Sequence, residues 1–258
     1  MAFKDCREEW YDPVRKVAVT LADATTAAQT LAAGHLSGPV ATHFLAKALA
    51  SVAVLGAETE EEGETVILQM KCRGPLGGLV AEVTREGTLR GYTERKILDD
   101  FDGMGRPDPK KVLGDCEIQV TRSVPGRIIS RGISTSLDGY LAGSLQRTAV
   151  MFDDASVTDD VEVLAARAVM IEALADSDWR DFPLKLDLGV SPRGIMKRLG
   201  LANAELKRTA PLSFACRCSA ARAESMLAAL GEEERKGLPP AVDITCHMCG
   251  RTYTVKTK

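Results

Sequence analysis

Aromatic side chains are scarce, at 5% of the 258 residues. A core must therefore rest on Val, Leu, Ile, Ala and Met. Histidine is scarcer still, with three in the chain. None has an evident partner, and neither a Ser-His-Asp set nor a carboxylate pair of the acid–base kind can be argued from the sequence. Nothing here points to an enzyme. Positive charge is not in excess: 33 Lys and Arg stand against 36 Asp and Glu, a net charge of −3. That balance argues against a nucleic-acid-binding chain, which needs a basic surplus. Long hydrophobic runs are missing. The longest, Ala48 to Ala57, is broken by Ser51 and Gly56 and reads as a buried helix, well short of the roughly 18 apolar residues of a membrane span. The first ten residues, MAFKDCREEW, carry charges where the apolar stretch of a secretory signal would stand. The expectation is a cytoplasmic protein without a membrane partner. Its 45% hydrophobic and 27% charged content is ordinary globular balance.

What the chain does have is cysteine. Seven are present, and an odd number without a secretion signal suits a reducing compartment. Cys6, Cys72 and Cys116 read as small buried hydrophobes. The other four form two tight pairs, Cys216-Arg217-Cys218 and Cys246-His247-Met248-Cys249, separated by residues 219–245. Two close thiol pairs joined by a loop of that length are the donor set of a tetrahedral zinc ion, with zinc–sulfur bonds of about 2.3 Å. Cys246 and Cys249 flank a turn, and Gly250 supplies an unusual backbone angle, as in a zinc knuckle. Arg217, Arg222 and Arg251 stand near the thiols and offset the negative charge of a four-thiolate site. The spacing fits two uses. One is a plain zinc staple for a small module. The other is a redox switch, because each pair is close enough in sequence to form a local disulfide once the metal leaves.

Along the chain, Arg15–Leu21 alternates Val17, Val19 and Leu21 and predicts a strand. An Ala- and Thr-rich helix is expected over Asp23–Leu36, with His35 beside its C-terminal carbonyls. Ser37-Gly38-Pro39 opens a second helix, where proline has no N–H to lose. Its Val40, Phe44, Leu45, Ala48, Leu49 and Val52 form one apolar stripe. His43 lies one residue off the stripe, a surface or boundary position. Gly56 is expected to end the helix in the left-handed conformation, and Glu58–Glu64 to follow as a solvated acidic connector.

The period then changes to two. Strands are expected at Thr65–Met70, Leu79–Thr84 and Thr88–Thr93, with a turn at Glu86-Gly87. The glycine-rich stretch Arg73–Gly78 lacks the Lys-Ser/Thr ending of a phosphate loop and reads as a turn. After an irregular 99–115 come strands at Cys116–Arg122 and Arg127–Ile133. A short helix is expected over Thr135–Arg147, with Leu137, Leu141 and Leu145 at four-residue steps. Ala149–Asp153 and Val163–Ala173 read as strands, although the second also suits a helix. Ser191-Pro192-Arg193 starts a short basic helix, Gly194–Leu201. Ser219 caps a helix over Ala220–Leu230 that Gly231 stops. Val242–Thr245 and Thr252–Val255 flank the second cysteine pair as a hairpin.

Two sets of residues carry a family resemblance. One is Phe214-Ala215-Cys216-Arg217-Cys218-Ser219 with Ile244-Thr245-Cys246-His247-Met248-Cys249-Gly250-Arg251-Thr252-Tyr253. The other is Gly34-His35-Leu36-Ser37, Pro39-Val40-Ala41-Thr42, Gly74-Pro75-Leu76-Gly77 and Gly91-Tyr92. In these the chain resembles the heat-shock-protein-33 family, the redox-regulated, ATP-independent holdase chaperones. The resemblance implies an α+β protein. It divides the chain into an N-terminal mixed α/β client-binding core over residues 1–177, with a β-sheet packed by helices, a short helical linker over 178–207, and a zinc-binding redox-switch domain over 208–258. It implies zinc on Cys216, Cys218, Cys246 and Cys249 in a reduced, inactive state. Oxidation is then expected to pair Cys216 with Cys218 and Cys246 with Cys249, release the zinc, unfold the module, loosen the linker and expose apolar surface to unfolded client proteins. A homodimer is associated with the active form. The resemblance tips the two uses of the spacing toward the switch. Ser144-Leu145-Gln146-Arg147-Thr148 departs from the family's Ser-Glu-Gln followed by proline, and the region 176–205 is shorter than the family's linker.

The energetics agree. A module of about fifty residues buries too little surface to fold unaided, whereas structural zinc contributes on the order of 10–16 kcal/mol in small zinc peptides. Two rivals belong to other classes. A zinc-ribbon nucleic-acid binder with a purely structural zinc would use the Lys and Arg of 193–208 and 251–258 on phosphate, with a salt-dependent affinity. A disulfide-exchange enzyme would need its CxxC at a helix N-terminus after a strand, not in a hairpin.

Overall fold

In the computed structural model, which describes residues 3–143 and 147–257, the chain builds two sheets around a buried helix. The first strands are β1 (Cys6–Asp12) and β2 (Val17–Asp23), followed by helices α1 (Thr25–His35) and α2 (Pro39–Leu55). Next come β3 (Thr65–Cys72), β4 (Gly78–Thr84), β5 (Thr88–Thr93), α3 (Pro109–Leu113), β6 (Cys116–Val124), β7 (Arg127–Ser134) and α4 (Leu137–Ala142). The long hairpin β8 (Arg147–Val157) and β9 (Val163–Leu174) precedes α5 (Pro192–Arg198), β10 (Glu205–Pro211) and the two-residue β11 (Ser213–Phe214). The chain finishes with α6 (Ala220–Ala228), α7 (Glu232–Lys236), β12 (Ala241–Thr245) and β13 (Thr252–Lys256). This is the expected α+β class.

The first sheet runs β10-β1-β2-β9-β8 and is antiparallel throughout. The second runs β11-β5-β4-β3-β6-β7, antiparallel except where β11 lies parallel to β5. Helix α2 packs against β2, β8 and β9 on one side and against β3, β4 and β5 on the other. Every residue of α2 except Pro39 and Lys47 is buried. A helix sandwiched between two sheets has no solvent face, so it must be apolar all round rather than along one stripe. That corrects the single-stripe reading and the placing of His43, which is only 5% exposed. It also accounts for Pro39–Glu58 matching a membrane span in length and composition: 89% of its most apolar 18-residue window is buried within the protein.

Val17, Val19 and Leu21 alternate as read, but they face away from α2. With Trp10, Val169 and Ile171 they form a second apolar layer on the outer face of the first sheet. Trp179, Ile195, Met196, Leu199 and Leu201 cover that layer. The segment between β9 and β10 therefore lies flat on the sheet, and β10 then pairs with β1 as an edge strand.

Several expectations change, each for a physical reason. Strand β1 escapes pattern reading because it buries charge: Arg7 is fully buried, donating Nε–H to Glu9 (3.1 Å) and Nη1–H to the Ala53 carbonyl (3.2 Å). Gly56 ends α2 with a right-handed φ of −65°. Glycine suits that position because a Cβ there would lie 2.7 Å from Val83 and 2.8 Å from the Arg7 guanidinium. The acidic connector is not merely solvated: Glu64 is fully buried, accepts from the Glu60 and Glu61 amides and pairs with Arg122 at 2.8 Å. Within the region read as irregular, α3 forms behind an Asp108 cap. The helix expected over Thr135–Arg147 is confined to Leu137–Ala142, and Leu145 lies outside the described residues. Val163–Leu174 is a strand, held on both sides by β2 and β8. Cys6, Cys72 and Cys116 are half-buried rather than buried.

His43 has a consequence for stability. Burial is the main cause that lowers its imidazole to about 4, with Lys47 of α2 and Arg106 adding to the effect and Asp154 and Asp153 of β8 opposing it. Its folded value lies below the ordinary one, so the unfolded chain binds the extra proton between about pH 6.5 and 4 and stability falls as pH drops through that window. From pH 7 to pH 5 this group should cost about 1–2 kcal/mol. Urea unfolding of the wild type and of His43→Gln at both pH values checks it. The pH-dependent loss should shrink by that amount in the variant, and equal losses would refute it.

Candidate metal centre

Beyond β11 the chain leaves the second sheet and reaches the first cysteine pair. Cys216 and Cys218 stand on an irregular segment immediately before α6, whose cap is the Ser219 hydroxyl accepting from the Arg222 amide (3.2 Å). Cys246 and Cys249 stand in the turn between β12 and β13. The turn is pinned by the Cys246 amide on the Arg251 carbonyl (2.9 Å) and the Gly250 amide on the Cys246 carbonyl (2.9 Å). Gly250 has φ of +74°, the left-handed angle expected of it.

This architecture brings all four thiols together. Their Sγ atoms lie within 4.8 Å of one another. Cys216 and Cys246 are 3.7 Å apart, Cys218 and Cys249 3.4 Å. Bonds of about 2.3 Å to a tetrahedral zinc imply sulfur–sulfur edges of about 3.8 Å. The donor set therefore fits a single zinc ion, with soft thiolates as the ligands such an ion prefers.

The surrounding groups tune the thiols unequally. Burial opposes ionisation of Cys218, but the Tyr253 hydroxyl donates to its sulfur (3.2 Å) and the neighbouring thiols add to this, lowering it to about 7. Burial pushes the Cys246 and Cys249 thiols up. The arginines do not all behave as read from the sequence. Arg217 pairs with Glu82 of β4 at 2.5 Å, and Arg222 donates to the Arg217 carbonyl. Arg251 stands in the field of Cys218 and Cys249. The cation beside Cys216 is Arg90 of β5, which also makes a two-point pair with Glu82 (2.9 and 2.7 Å). Glu82 and Arg90 were missed because neither lies near the cysteines in sequence. Their one visible signal is their cross-strand position on β4 and β5.

The thiol cluster sits where the C-terminal module meets the core. Cys249 is 5% exposed and packs with the main core. Gly34 at the end of α1 touches it backbone to backbone: a Cβ on Gly34 would lie 2.7 Å from the Cys249 carbonyl, and one on Gly250 2.0 Å from the Gly34 carbonyl. The His35 ring meets the Gly91 carbonyl through Nε2 (2.9 Å), and the Gly91 amide donates to the Met248 carbonyl (3.3 Å). His35 thus bridges to β5 rather than to its own helix end. Tyr92 stacks edge-on against His247 at 5.8 Å. The family-like stretches Gly34-His35 and Gly91-Tyr92, far apart in sequence, converge on one cysteine turn. By itself the module has little to hold it: among the described residues its own buried core is Ala223, Leu227 and Val255, with Leu238, Val242, Ile244 and Tyr253 half-buried against them.

A two-sheet α+β core with a docked four-thiol module describes a class of protein, and comparison with known proteins supplies the family. The sequence pattern of the Hsp33 protein family matches residues 12–256. The chain belongs to that family, which is one of chaperones. A 33 kDa chaperonin of Symbiobacterium thermophilum is 29% identical over 246 residues, spanning 85% of this chain and 83% of its own. One from a Geobacillus species is 25% identical over 269 residues, spanning 93% and 89%. The crystal structure of a 33 kDa chaperonin from Thermotoga maritima superposes with a TM-score of 0.84 at 19% identity, covering 98% of this chain and 95% of that one. It shares the fold.

The Gly34 contact yields a test. In the interior of a helix, glycine to alanine ordinarily stabilises by about 1 kcal/mol. Here Gly34→Ala should instead destabilise the module's docking by about 1–3 kcal/mol, because the new methyl must displace a backbone carbonyl. Faster proteolysis within residues 215–257 of the reduced protein is the readout, and unchanged or slower cleavage would refute it.

Proposed function

We propose that this chain is a redox-regulated, ATP-independent holdase that binds unfolded client proteins in the cytoplasm and is not an enzyme. The observation that carries the proposal is the convergence of Cys216, Cys218, Cys246 and Cys249 at the seam between module and core. In the reduced state these four residues would hold a zinc ion, which supplies a cross-link between the two halves of a module that is too small to fold on its own apolar contacts.

The residues of the chain do the rest. In this reading each zinc-bound thiolate pair gives up two electrons to hydrogen peroxide, which takes two protons from solvent and is reduced to two waters. Cys216 joins Cys218 and Cys246 joins Cys249, and the ligands are lost. The module then keeps a small apolar cluster, with Ala223, Leu227 and Val255 buried and Leu238, Val242, Ile244 and Tyr253 half-buried around them. Its docking contacts at Gly34, Gly91 and Glu82 depend on the cysteine turn and on Arg217, so they go with it. The chain between β9 and the module covers Trp10, Val17, Val19, Leu21, Val169 and Ile171. Once its C-terminal anchor loosens, that covering segment is free to lift, and the layer beneath is apolar surface of the kind a holdase offers. In this proposal residues 1–177 act as the core, 178–207 as the cover and 208–258 as the switch, and the active form is a homodimer.

The experiment is a single peroxide titration of the reduced, zinc-loaded protein, following zinc release with a chromogenic chelator and client aggregation by light scattering. Zinc release and suppression of aggregation should rise together. Release without a gain in holding, or full holding before oxidation, would leave the metal as a staple and refute the switch. Cys246→Ser should lose zinc and hold clients without oxidant.

A further inference from the structure

Cys72 and Cys116 take no part in the four-thiol cluster, yet the fold sets them face to face. Cys72 is the last residue of β3 and Cys116 the first of β6, and the two are direct register partners. The backbone shows which kind of pair they make. The Cys72 amide points away from β6 to the Gly77 carbonyl (2.8 Å), while the next amide, Arg73, donates to Asp115 across the strands (2.9 Å). Cys72 and Cys116 therefore occupy a non-hydrogen-bonded site, where Cα atoms approach to about 4.5 Å and side chains are closest. That spacing falls inside the range of about 4.4–6.8 Å that a disulfide spans. The Sγ atoms are 2.8 Å apart, whereas the nearest carbonyls to the Cys116 sulfur stand at 3.7 and 3.9 Å. Further bonds hold the strand ends, with the Gly74 amide on the Leu113 carbonyl (2.7 Å) and the Leu76 amide on Val112 (3.1 Å).

Access is unequal. Cys116 lines an open cleft of about 710 Å3 together with Leu68, Met70 and Leu113, and Cys72 is not among the residues that line it. Burial and the adjacent Cys116 sulfur hold the Cys72 thiol well above its ordinary range. The pair lies at the β3–β6 seam, with β4 between it and β5, the strand on which the cysteine module docks.

We propose that Cys72 and Cys116 form a second, metal-independent redox site, in which a hydroperoxide oxidises Cys116 and Cys72 closes a disulfide between β3 and β6. The Cys116 thiolate attacks the terminal peroxide oxygen. The O–O bond breaks, leaving a Cys116 sulfenic acid and, after protonation, an alcohol, or water from hydrogen peroxide. The Cys72 sulfur, losing its proton, then attacks the sulfenic sulfur. The S–O bond breaks, water leaves and the S–S bond forms. Two thiols lose two electrons together and the hydroperoxide gains them. This step does not depend on the proposed function. If that reading also holds, one oxidant loosens the C-terminal module and staples the core sheet.

Peptide mapping of the full chain tests the site. The reduced, zinc-loaded protein is treated with hydrogen peroxide, quenched with N-ethylmaleimide at low pH and digested with pepsin without reductant. A Cys72–Cys116 linked peptide should rise from a trace to the major form and vanish on reduction. The same link should form when Cys216, Cys218, Cys246 and Cys249 are all replaced by serine, which separates this site from the four-thiol switch. In Cys72→Ser, a dimedone adduct should accumulate on Cys116. Recovery of both cysteines as separate alkylated or sulfinic forms in the wild type, or linkage of either to a different cysteine, would overturn the proposal whether or not the variants fold.

Discussion

A helix without a solvent face sets the terms for this protein. Because α2 is apolar all round, it needs cover on both sides, and the two sheets supply it. That demand explains why the strands divide as they do, why His43 and Ser51 are drawn into the interior, and why the ends of α2 meet polar groups from distant chain. The Val40 amide at its start is met by the Asp102 carboxylate (3.0 Å) and the Ala53 carbonyl near its finish by Arg7 (3.2 Å). Burying such groups is tolerable only when each finds a partner.

The covered helix leaves the outer face of the first sheet as a separate problem. Its Val17, Val19, Leu21, Val169 and Ile171 are roofed by a segment with little regular structure beyond α5. A roof of this kind is held by side-chain burial and by the pairing of β10 with β1, not by a sheet or bundle of its own. Regions held by few regular elements open at lower free energy than central strands. The arrangement suits a protein whose proposed activity calls for the exposure of apolar surface.

The C-terminal module is marginal in the same sense. Three buried apolar side chains cannot offset the ordering of its backbone, so its structure leans on the thiol cluster and on the core. The cluster lies on the seam between module and core. Glu82 adds to this, accepting Arg90 from the core and Arg217 from the module on one buried carboxylate. A carboxylate with 5% exposure is stable there only while both cations remain.

Much of this was legible in the chain alone. The four cysteines and the Gly250 turn announce a thiol site because ligand chemistry and tight turns are local in sequence. Pro39 at the start of α2, the Ser219 cap and the period-two strands through Thr93 are local for the same reason. Charge in unexpected places hid the rest. Strand β1 carries a buried arginine and β10 is a polar edge strand, so neither shows an apolar alternation. Only the tertiary structure could bring Gly34, Gly91 and Glu82 to the cysteine turn, or set Cys72 opposite Cys116. These are contacts between segments whose meeting depends on strand register and sheet order, and a linear pattern carries no record of either.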